Sequence, residues 1–153
     1  MAYVFASAQH ETDQGKTMFE YASGKAYEGR DDLGNSEDGD GPRFKGRGFV
    51  QITGRKNYKK YSDFLGIDLV GNPDLAADTT NSAKITVDGM VNGGFTGVAM
   101  KHYINDKITN FYHARAVVNG DTEKNGERIA GYARSYLKVL TDCGFASSGS
   151  IRW

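Results

Sequence analysis

Residues 39–58 read GDGPRFKGRGFVQITGRKNY, and this segment is the starting point for interpreting the fold. It begins as a polar loop punctuated by glycines, which mark turns and places where backbone is approached closely. The apolar run at residues 49–52 then predicts a short β-type segment. Aromatic and apolar residues at helical spacing predict a helix over residues 57–65. A loop, a β element and a helix are therefore expected to follow one another directly.

The rest of the chain has mainly helical periodicity. Residues 2–10 are apolar or small on nearly all faces, which predicts a buried helix that ends at Glu11. Further apolar periods predict helices over residues 81–91, 98–103, 108–118 and 127–140. A short helical turn is expected at residues 18–22, inside a long irregular segment. We predict a mainly α, helical bundle-like single domain over residues 1–153, with one small β element beside a substrate groove.

The charge of the chain is balanced, with 19 basic and 19 acidic residues among 153. A balanced charge gives no global attraction to nucleic acid or to an anionic membrane surface, so we predict neither partner. Lys56, Lys59 and Lys60 form a basic run that we interpret as a solvated helix face. The single cysteine, Cys143, excludes an intramolecular disulfide. We expect a monomer that folds by packing alone and needs no cofactor.

The chain opens with MAYVFASA, an apolar segment without a cationic leader. The segment is too short for the core of a signal peptide, and no later apolar run approaches the length of a membrane span. We therefore expect synthesis in the cytoplasm without a signal peptide.

Carboxylates near the start of the chain suggest cleavage of a glycosidic bond. That reaction needs one carboxylic acid to protonate the leaving oxygen and a second carboxylate to activate water or attack the sugar. Glu11 ends a helix that we predict to be buried, and burial disfavours the ionised form, so Glu11 is the candidate acid. The second carboxylate is expected in the polar segment that follows. Spacing alone leaves Glu20, Glu28, Glu37 and Asp13 open.

Each of these residues also has a structural interpretation. Glu28 and Glu37 can belong to a solvated acidic loop, and Glu11 can pair with an arginine. Thr53 and Asn57 can hold a water or an N-acetyl group, but both residue types also cap helices and form turns. His10, His102 and His113 have no metal-ligand spacing, and we predict no metal site.

Three segments together resemble glycoside hydrolase family 19, which contains chitinases and phage endolysins. They are AQHET at residues 8–12, the run YEGRDDLGNSEDGDGPRFKGRGFVQITGRKNY at 27–58, and NGDTEKNGERIAGYARSYLKVL at 119–140. The segments occur in the order in which the family has them and span nearly the whole chain. The resemblance implies a mainly α, lysozyme-like fold and cleavage of β-1,4 links with inversion.

The resemblance also implies roles for individual residues. Glu11 matches the acid, and Glu20, nine residues later, matches the base of the endolysin branch. Thr53 matches the hydroxyl residue that helps to hold the water, and Gln51 and Asn57 match positions that contact substrate. Three further residues match a supporting polar and charged network around the catalytic carboxylates, and we predict that they bind substrate: Asn119, Glu123 and Arg128. Plant-type chitinases place their second glutamate further from the first, which leaves Glu28 as a rival to Glu20.

Three functional hypotheses follow. The first is an endolysin-type inverting muramidase that cuts peptidoglycan, made in the host cytoplasm and acting on the wall after release. The second is a chitinase that hydrolyses β-1,4-linked N-acetylglucosamine polymers. The third, from another class, is an inactive relative that binds glycans without cleaving them.

Overall fold

The computed structural model describes residues 1–145, and this part of the chain is mainly helical. Its α-helices are α1 (Ala2–Glu11), α2 (Asp40–Arg43), α3 (Arg55–Leu65), α4 (Thr79–Asn92) and α5 (Thr122–Asp142). Short 3₁₀ helices lie at Lys25–Tyr27, Asp31–Leu33, Pro73–Ala77, Met100–His102 and His113–Val117. The predicted mainly α fold class is confirmed.

The chain divides into two compact units. One contains residues 1–10 and the described residues from 86 onward, and the other contains residues 11–85. The prediction of a single domain over residues 1–153 is untested by this division and stays a prediction.

The first unit has a continuous apolar core. Helix α1 buries Tyr3 and Ala6, and the Tyr3 ring stacks on Phe111 with the ring centroids 6.0 Å apart. Helix α5 contributes Ile129, and its predicted apolar stripe explains why one face of this long helix is buried. The rest of the cluster is Met90, Met100, Ile104, Ala114, Val117, Ala130 and Ala133.

The start of α5 is fixed by a buried ion pair. Arg115 is 1% exposed, and its Nε donates to Asp121 Oδ1 at 2.5 Å. Asn125 Nδ2 donates to the other carboxylate oxygen at 2.6 Å. Helix α5 therefore begins at Thr122, five residues before the predicted start at 127, because Asp121 links its first turn to the preceding 3₁₀ helix.

The second unit is organised around a buried arginine in the segment of residues 39–58. Arg47 is 8% exposed, and its Nε donates to Asp74 at 2.9 Å. Its Nη1 donates to the hydroxyl of Tyr58 on α3 at 3.0 Å. The remaining buried apolar side chains of this unit include Phe44, Ile52, Tyr61, Leu69, Ala76 and Ile85. The guanidinium thus joins α3 to the loop that precedes it.

The predicted β element is smaller than the sequence suggests. Arg47 forms isolated antiparallel bridges with Phe19 on one side and with Ile52 on the other, and residues 48–51 form a turn between them. Gly48 allows this turn because its φ is +81°. A Cβ at Gly48 would also lie 2.6 Å from Ser82 Oγ, which is too close for two non-bonded atoms.

Several local predictions were wrong. Residues 18–22 form no helical turn, because Phe19 pairs with Arg47 instead. The helices predicted over 98–103 and 108–118 shrink to the 3₁₀ helices Met100–His102 and His113–Val117. Asn57 does not cap α3, since the helix begins at Arg55 after Gly54. The sequence also suggests that the terminal Trp153 docks on the core, and this residue lies outside the described residues.

Acid should destabilise the second unit through Asp40. Arg55 donates to both carboxylate oxygens of Asp40, at 2.8 Å and 2.5 Å, and this hydrogen bonding lowers the pKa of Asp40 below its ordinary value. A lowered folded-state pKa stabilises the fold above the unfolded value of about 3.9 and loses that effect as the pH falls through the folded value. We expect the free energy of unfolding to decrease as the pH is lowered from about 4.

The variant Asp40→Asn tests this interaction. Among residues 1–145, removing this charge leaves the exposed Glu37 as the ionic partner of Arg55, so we expect a loss of roughly 2–3 kcal/mol at neutral pH. The free energy of unfolding of this variant should also depend less steeply on pH in acid. Asp38→Asn, at an exposed aspartate of the same loop, is the matched control. Equal stabilities of the two variants in urea denaturation would contradict the prediction.

Candidate active site

Glu11 is the last residue of helix α1 and begins the second unit. The sequence predicts burial of this residue, and the structure buries it only in part. The helix buries Ala2, Tyr3, Ala6 and Ser7, and Glu11 is buried less than these four residues. A short left-handed turn follows, in which Thr12 Oγ1 accepts a hydrogen bond from the amide of Gly15 at 2.9 Å. Glu11 is therefore a solvent-accessible carboxyl at a helix end.

Glu20 has both carboxylate oxygens in hydrogen bonds. Tyr27 Oη donates to Oε1 at 2.9 Å, and the backbone N–H of Gly46 donates to Oε2 at 2.9 Å. The backbone of Glu20 also donates to the carbonyl of Gly46 at 2.9 Å. These contacts fix the position of the carboxylate against the GRG segment, residues 46–48. The side chain remains half-buried.

Lys45 stabilises the chain on either side of this carboxylate. Its Nζ donates to the carbonyl of Glu20 at 3.1 Å and to the carbonyl of Ala22 at 3.3 Å. The Lys45 carbonyl in turn accepts from the hydroxyl of Tyr58 at 2.7 Å. Burial raises the pKa of Tyr58 to about 12, so this hydroxyl stays protonated and can donate.

Gln51 lies beside the same Gly46 peptide. An ideal Cβ on Gly46 would lie 2.9 Å from Gln51 Oε1 and 3.1 Å from Glu20 Oε2, so the two side chains converge above this glycine. Gln51 Nε2 donates to the Gly48 carbonyl at 2.7 Å, which directs the amide. The backbone φ of Gln51 is +51°, a left-handed conformation that costs about 1 kcal/mol or more and is often found at functional sites.

Thr53 and Asn57 follow on the same segment. Thr53 Oγ1 donates to the Gln51 carbonyl at 2.9 Å, and its lone pairs remain able to accept. Asn57 Nδ2 donates to the Thr53 carbonyl at 2.8 Å. The structure therefore brings Glu20, Gln51 and Thr53 together through shared backbone contacts, with Asn57 supporting them from α3.

The two rival glutamates have structural partners. Glu28 accepts the amide of Gly39 at 2.6 Å with one oxygen and the amide of Gly41 at 2.8 Å with the other. Its carboxylate thus caps the N-terminus of α2. Glu37 accepts from Arg55 Nη2 at 2.6 Å. Asp13, the remaining rival, pairs with Lys16 at 3.3 Å on the exposed turn after α1.

The three network residues predicted from the C-terminal motif lie in the first unit. Asn119, Glu123 and Arg128 are all exposed, around the start of α5. The polar network that the structure shows there joins Arg115, Asp121 and Asn125 instead, as described above. The substrate-binding role of the three exposed residues stays a prediction.

Residues 1–145 contain no cluster of histidine, cysteine and carboxylate side chains that could hold a metal ion. Over the same residues, every helix is too short or too polar to pass through a bilayer. The exposed Cys143 is a free thiol.

Sequence comparison decides the family. The family model described as chitinase class I, of glycoside hydrolase family 19, matches residues 1–133, and this range includes every residue of the candidate site. The chain belongs to glycoside hydrolase family 19.

Relatives within family 19 share part of the chain. A glycosyl hydrolase family 19 domain-containing protein of Haemophilus influenzae is 30% identical over 119 residues, which cover 67% of this chain and 56% of that protein. Acidic endochitinase Q of Nicotiana tabacum is 35% identical over 89 residues, 57% of this chain and 32% of the relative. The chain thus matches about half or less of the length of these relatives.

Solved structures of family 19 members share the fold. Chitinase C of Streptomyces griseus HUT6037 superposes with a TM-score of 0.70 at 22% identity, over 98% of this chain and 61% of that one. A bacterial family 19 chitinase superposes with a TM-score of 0.72 at 21% identity, over 99% and 76% of the two chains. The lysozyme-like fold of family 19 chitinases is therefore the fold of this chain.

Sequence reasoning did not identify Tyr27, Lys45 and Gly46 as site residues. Tyr27 lies seven residues after Glu20 and Gly46 lies 26 residues after it, so no helical or strand period links them to the carboxylate. The GRG triplet was a signal for a close backbone approach, but the sequence does not show which side chain approaches it.

We expect Gly46→Ala to reduce any glycosidase activity that depends on the Glu20 carboxylate, with little loss of stability. The new Cβ would collide with the flexible ends of Gln51 and Glu20 rather than with backbone. Displacing a catalytic group by about 1 Å can cost about 100-fold in rate, so we expect kcat to fall roughly 10–100-fold. Steady-state kinetics and thermal melting measure the two effects.

Gly131→Ala is the matched control for this glycine variant. Gly131 lies within α5, and a Cβ added there would have no neighbouring atom within 4 Å outside its own helical backbone. Alanine at this position should leave activity unchanged and raise stability by about 0.5–1 kcal/mol. Full activity of Gly46→Ala would show that the position of the Glu20 carboxylate does not matter to the reaction.

Proposed function

We propose that this family 19 protein hydrolyses β-1,4 glycosidic bonds with inversion, using Glu11 as the acid and Glu20 as the base. The observation that carries the proposal is the pair of hydrogen bonds that orient the Glu20 carboxylate, from Tyr27 Oη and the Gly46 amide. Of the glutamates that follow Glu11, Glu20 is the one that meets Gln51 above the glycine of the GRG segment.

Glu11 would protonate the oxygen of the leaving sugar. Its partial exposure lets a polysaccharide reach the carboxyl. Proton transfer from such a positioned acid typically contributes about 100- to 10,000-fold to the rate.

Glu20 would remove a proton from the attacking water. Because both of its oxygens are already oriented by donors, the remaining lone pairs have a fixed direction toward the water. Thr53 Oγ1 would accept a hydrogen bond from the second O–H of that water, since its own proton is directed to the Gln51 carbonyl. Water attacks the anomeric carbon as the leaving oxygen takes the proton of Glu11, so the sugar inverts in one step. Inversion requires roughly 6.5–9.5 Å between the two carboxyl groups.

Gln51 and Asn57 would position the substrate. The Oε1 atom of Gln51 can accept from a sugar hydroxyl or an N-acetyl amide, because its Nε2 is held by Gly48. Asn57 keeps its Oδ1 for a similar contact while Nδ2 is held by Thr53. Asn119, Glu123 and Arg128 are proposed as further substrate contacts on the basis of the family motif alone.

For the substrate we propose peptidoglycan, cut between N-acetylmuramic acid and N-acetylglucosamine. The nine-residue interval between Glu11 and Glu20 and the absence of any disulfide in a one-cysteine chain support an endolysin-type muramidase. Such an enzyme would be a monomer, made in the cytoplasm of a host and acting on the wall after release by a separate pore-forming protein.

Chitin is the second candidate substrate. The names of the tobacco relative and of the superposed structures describe endochitinase and chitinase proteins. Both polymers contain β-1,4-linked N-acetylglucosamine, so the same pair of carboxyls serves either reaction.

Product analysis tests these proposals. The protein is incubated with purified peptidoglycan and, separately, with chitin hexasaccharide, and the new reducing ends are identified. Reducing ends on N-acetylmuramic acid support the muramidase, whereas ends on N-acetylglucosamine or turnover of the chitin oligomer alone identify the other bond. An α-anomer as the first product, observed by NMR, is expected for inversion of a β-link. Binding to both polymers without turnover would identify a non-hydrolytic relative.

A further inference from the structure

We propose that Tyr27 is a positioning residue for the base of this enzyme: its phenol holds the Glu20 carboxylate in the orientation that activates water. The inference rests on the proposed function of Glu20 and gives a role to Tyr27, which begins the family segment at 27–58 but has no role assigned by the resemblance. It starts from the hydrogen bond of 2.9 Å between Tyr27 Oη and Glu20 Oε1.

Two donors hold the carboxylate by different oxygens. The amide of Gly46 holds Oε2, and the phenol of Tyr27 holds Oε1. A single donor leaves the terminal torsion of a glutamate broadly distributed, whereas a donor on each oxygen restricts it. Tyr27 therefore restricts the rotation that Gly46 alone would permit.

Tyr27 is itself held by a buried frame. Its backbone amide donates to the Gly24 carbonyl at 2.9 Å, and its carbonyl accepts from Asn35 Nδ2 at 2.8 Å. The Asn35 side chain is fully buried, and its Oδ1 accepts from the amide of Arg55 at 2.9 Å. The frame thus runs from the first residue of α3, through Asn35 and Tyr27, to the carboxylate of Glu20. These hydrogen bonds hold the loop between Glu20 and α2 in place.

The phenol of Tyr27 stays protonated, and so remains a hydrogen-bond donor, near neutral pH. Burial, followed by the hydrogen bond to Glu20 and the negative charge of Glu20, raises the pKa of Tyr27 above its ordinary value. A donated hydrogen bond favours the ionised form of a carboxylate, which is the form that a general base needs. The other titratable groups that act on this pair are Lys45, on the Glu20 carbonyl, and Arg30 and Tyr58 through their charges or dipoles.

Tyr27→Phe tests the role, with Tyr21→Phe as its control. Both variants lose one phenolic oxygen, but Tyr21 is 77% exposed and follows Glu20 directly in the sequence. For Tyr27→Phe we expect kcat to fall roughly 10–100-fold, the range for a hydrogen bond to a charged group, with KM changed less than about twofold. The acidic limb of the kcat/KM profile should also move to higher pH, and the melting temperature should stay close to that of the unmodified protein.

The substrates are chitin hexasaccharide and purified peptidoglycan, whichever the unmodified protein turns over. A Tyr27→Phe variant with unchanged kcat and an unchanged acidic limb would overturn the inference. A fall in activity that only parallels a fall in melting temperature, with the limb unmoved, would also overturn it, because it would indicate a structural role. Full activity of Glu20→Gln would instead refute the proposed function itself, so the two failures are distinguishable.

Discussion

Glu11→Gln is expected to lower kcat/KM by about 100- to 10,000-fold, because the amide cannot donate a proton to the leaving oxygen. The substitution preserves the length and shape of the side chain at the end of α1. The fold should remain intact, since Glu11 is only partly buried and glutamine keeps its size. Turnover on the preferred polymer and the melting temperature are the two measurements.

Glu127→Gln provides the matched control for this change. Glu127 lies on α5, where it forms an exposed ion pair with Arg134, and such pairs contribute little to stability. We expect activity within about twofold of the unmodified protein for this control, because Glu127 has no proposed role in the site and its ion pair is exposed. If Glu11→Gln retains activity like Glu127→Gln, Glu11 is not the acid.

The helices with strong apolar periodicity could be predicted from the sequence. Helix α1 was predicted over residues 2–10 and is observed as Ala2–Glu11, and α4 was predicted over 81–91 and is observed as Thr79–Asn92. The apolar period of α4 predicts its one buried face, whereas α1 was predicted to be buried on nearly all faces and instead exposes Phe5. The start of α5 was missed because it depends on the ion pair of Asp121 with Arg115, a contact between side chains.

The segment around the GRG motif was predicted less well. The run at residues 49–52 has the composition of a strand, but residues 48–51 form a turn. Two left-handed residues, Gly48 and Gln51, reverse the chain between the two bridge partners of the turn. Glutamine is not a residue that signals such a conformation, so composition favoured the wrong local structure.

The candidate site was predictable only in part. The resemblance to family 19 suggested Glu11 and Glu20 as the catalytic pair by their interval, but spacing could not separate Glu20 from Glu28. The contacts that distinguish them are made to Tyr27 and Gly46 in one case and to the start of α2 in the other. Such contacts join residues far apart in the sequence, and no periodicity encodes them.

Paired substitutions at the two glutamates should therefore have opposite consequences. Glu20→Gln is expected to lower kcat by about 100- to 10,000-fold, because the base is lost. Its stability should change little, since the new amide can donate to the Tyr27 hydroxyl, which can rotate to accept, while the amide oxygen still accepts from Gly46. Activity assays on peptidoglycan and chitin hexasaccharide, with thermal melting of both variants, measure the difference.

Glu28→Gln should instead lower stability and largely preserve activity. Both partners of Glu28 are backbone amides, of Gly39 and Gly41, and neither can accept a hydrogen bond. A glutamine there must place its own N–H₂ group against one of these donors, and the negative charge at the start of α2 is lost. We expect a cost of about 1 kcal/mol in urea denaturation. If Glu28→Gln proves inactive while Glu20→Gln remains active, the base has been assigned to the wrong carboxylate, because the donors around Glu20 would then serve the fold and not the reaction.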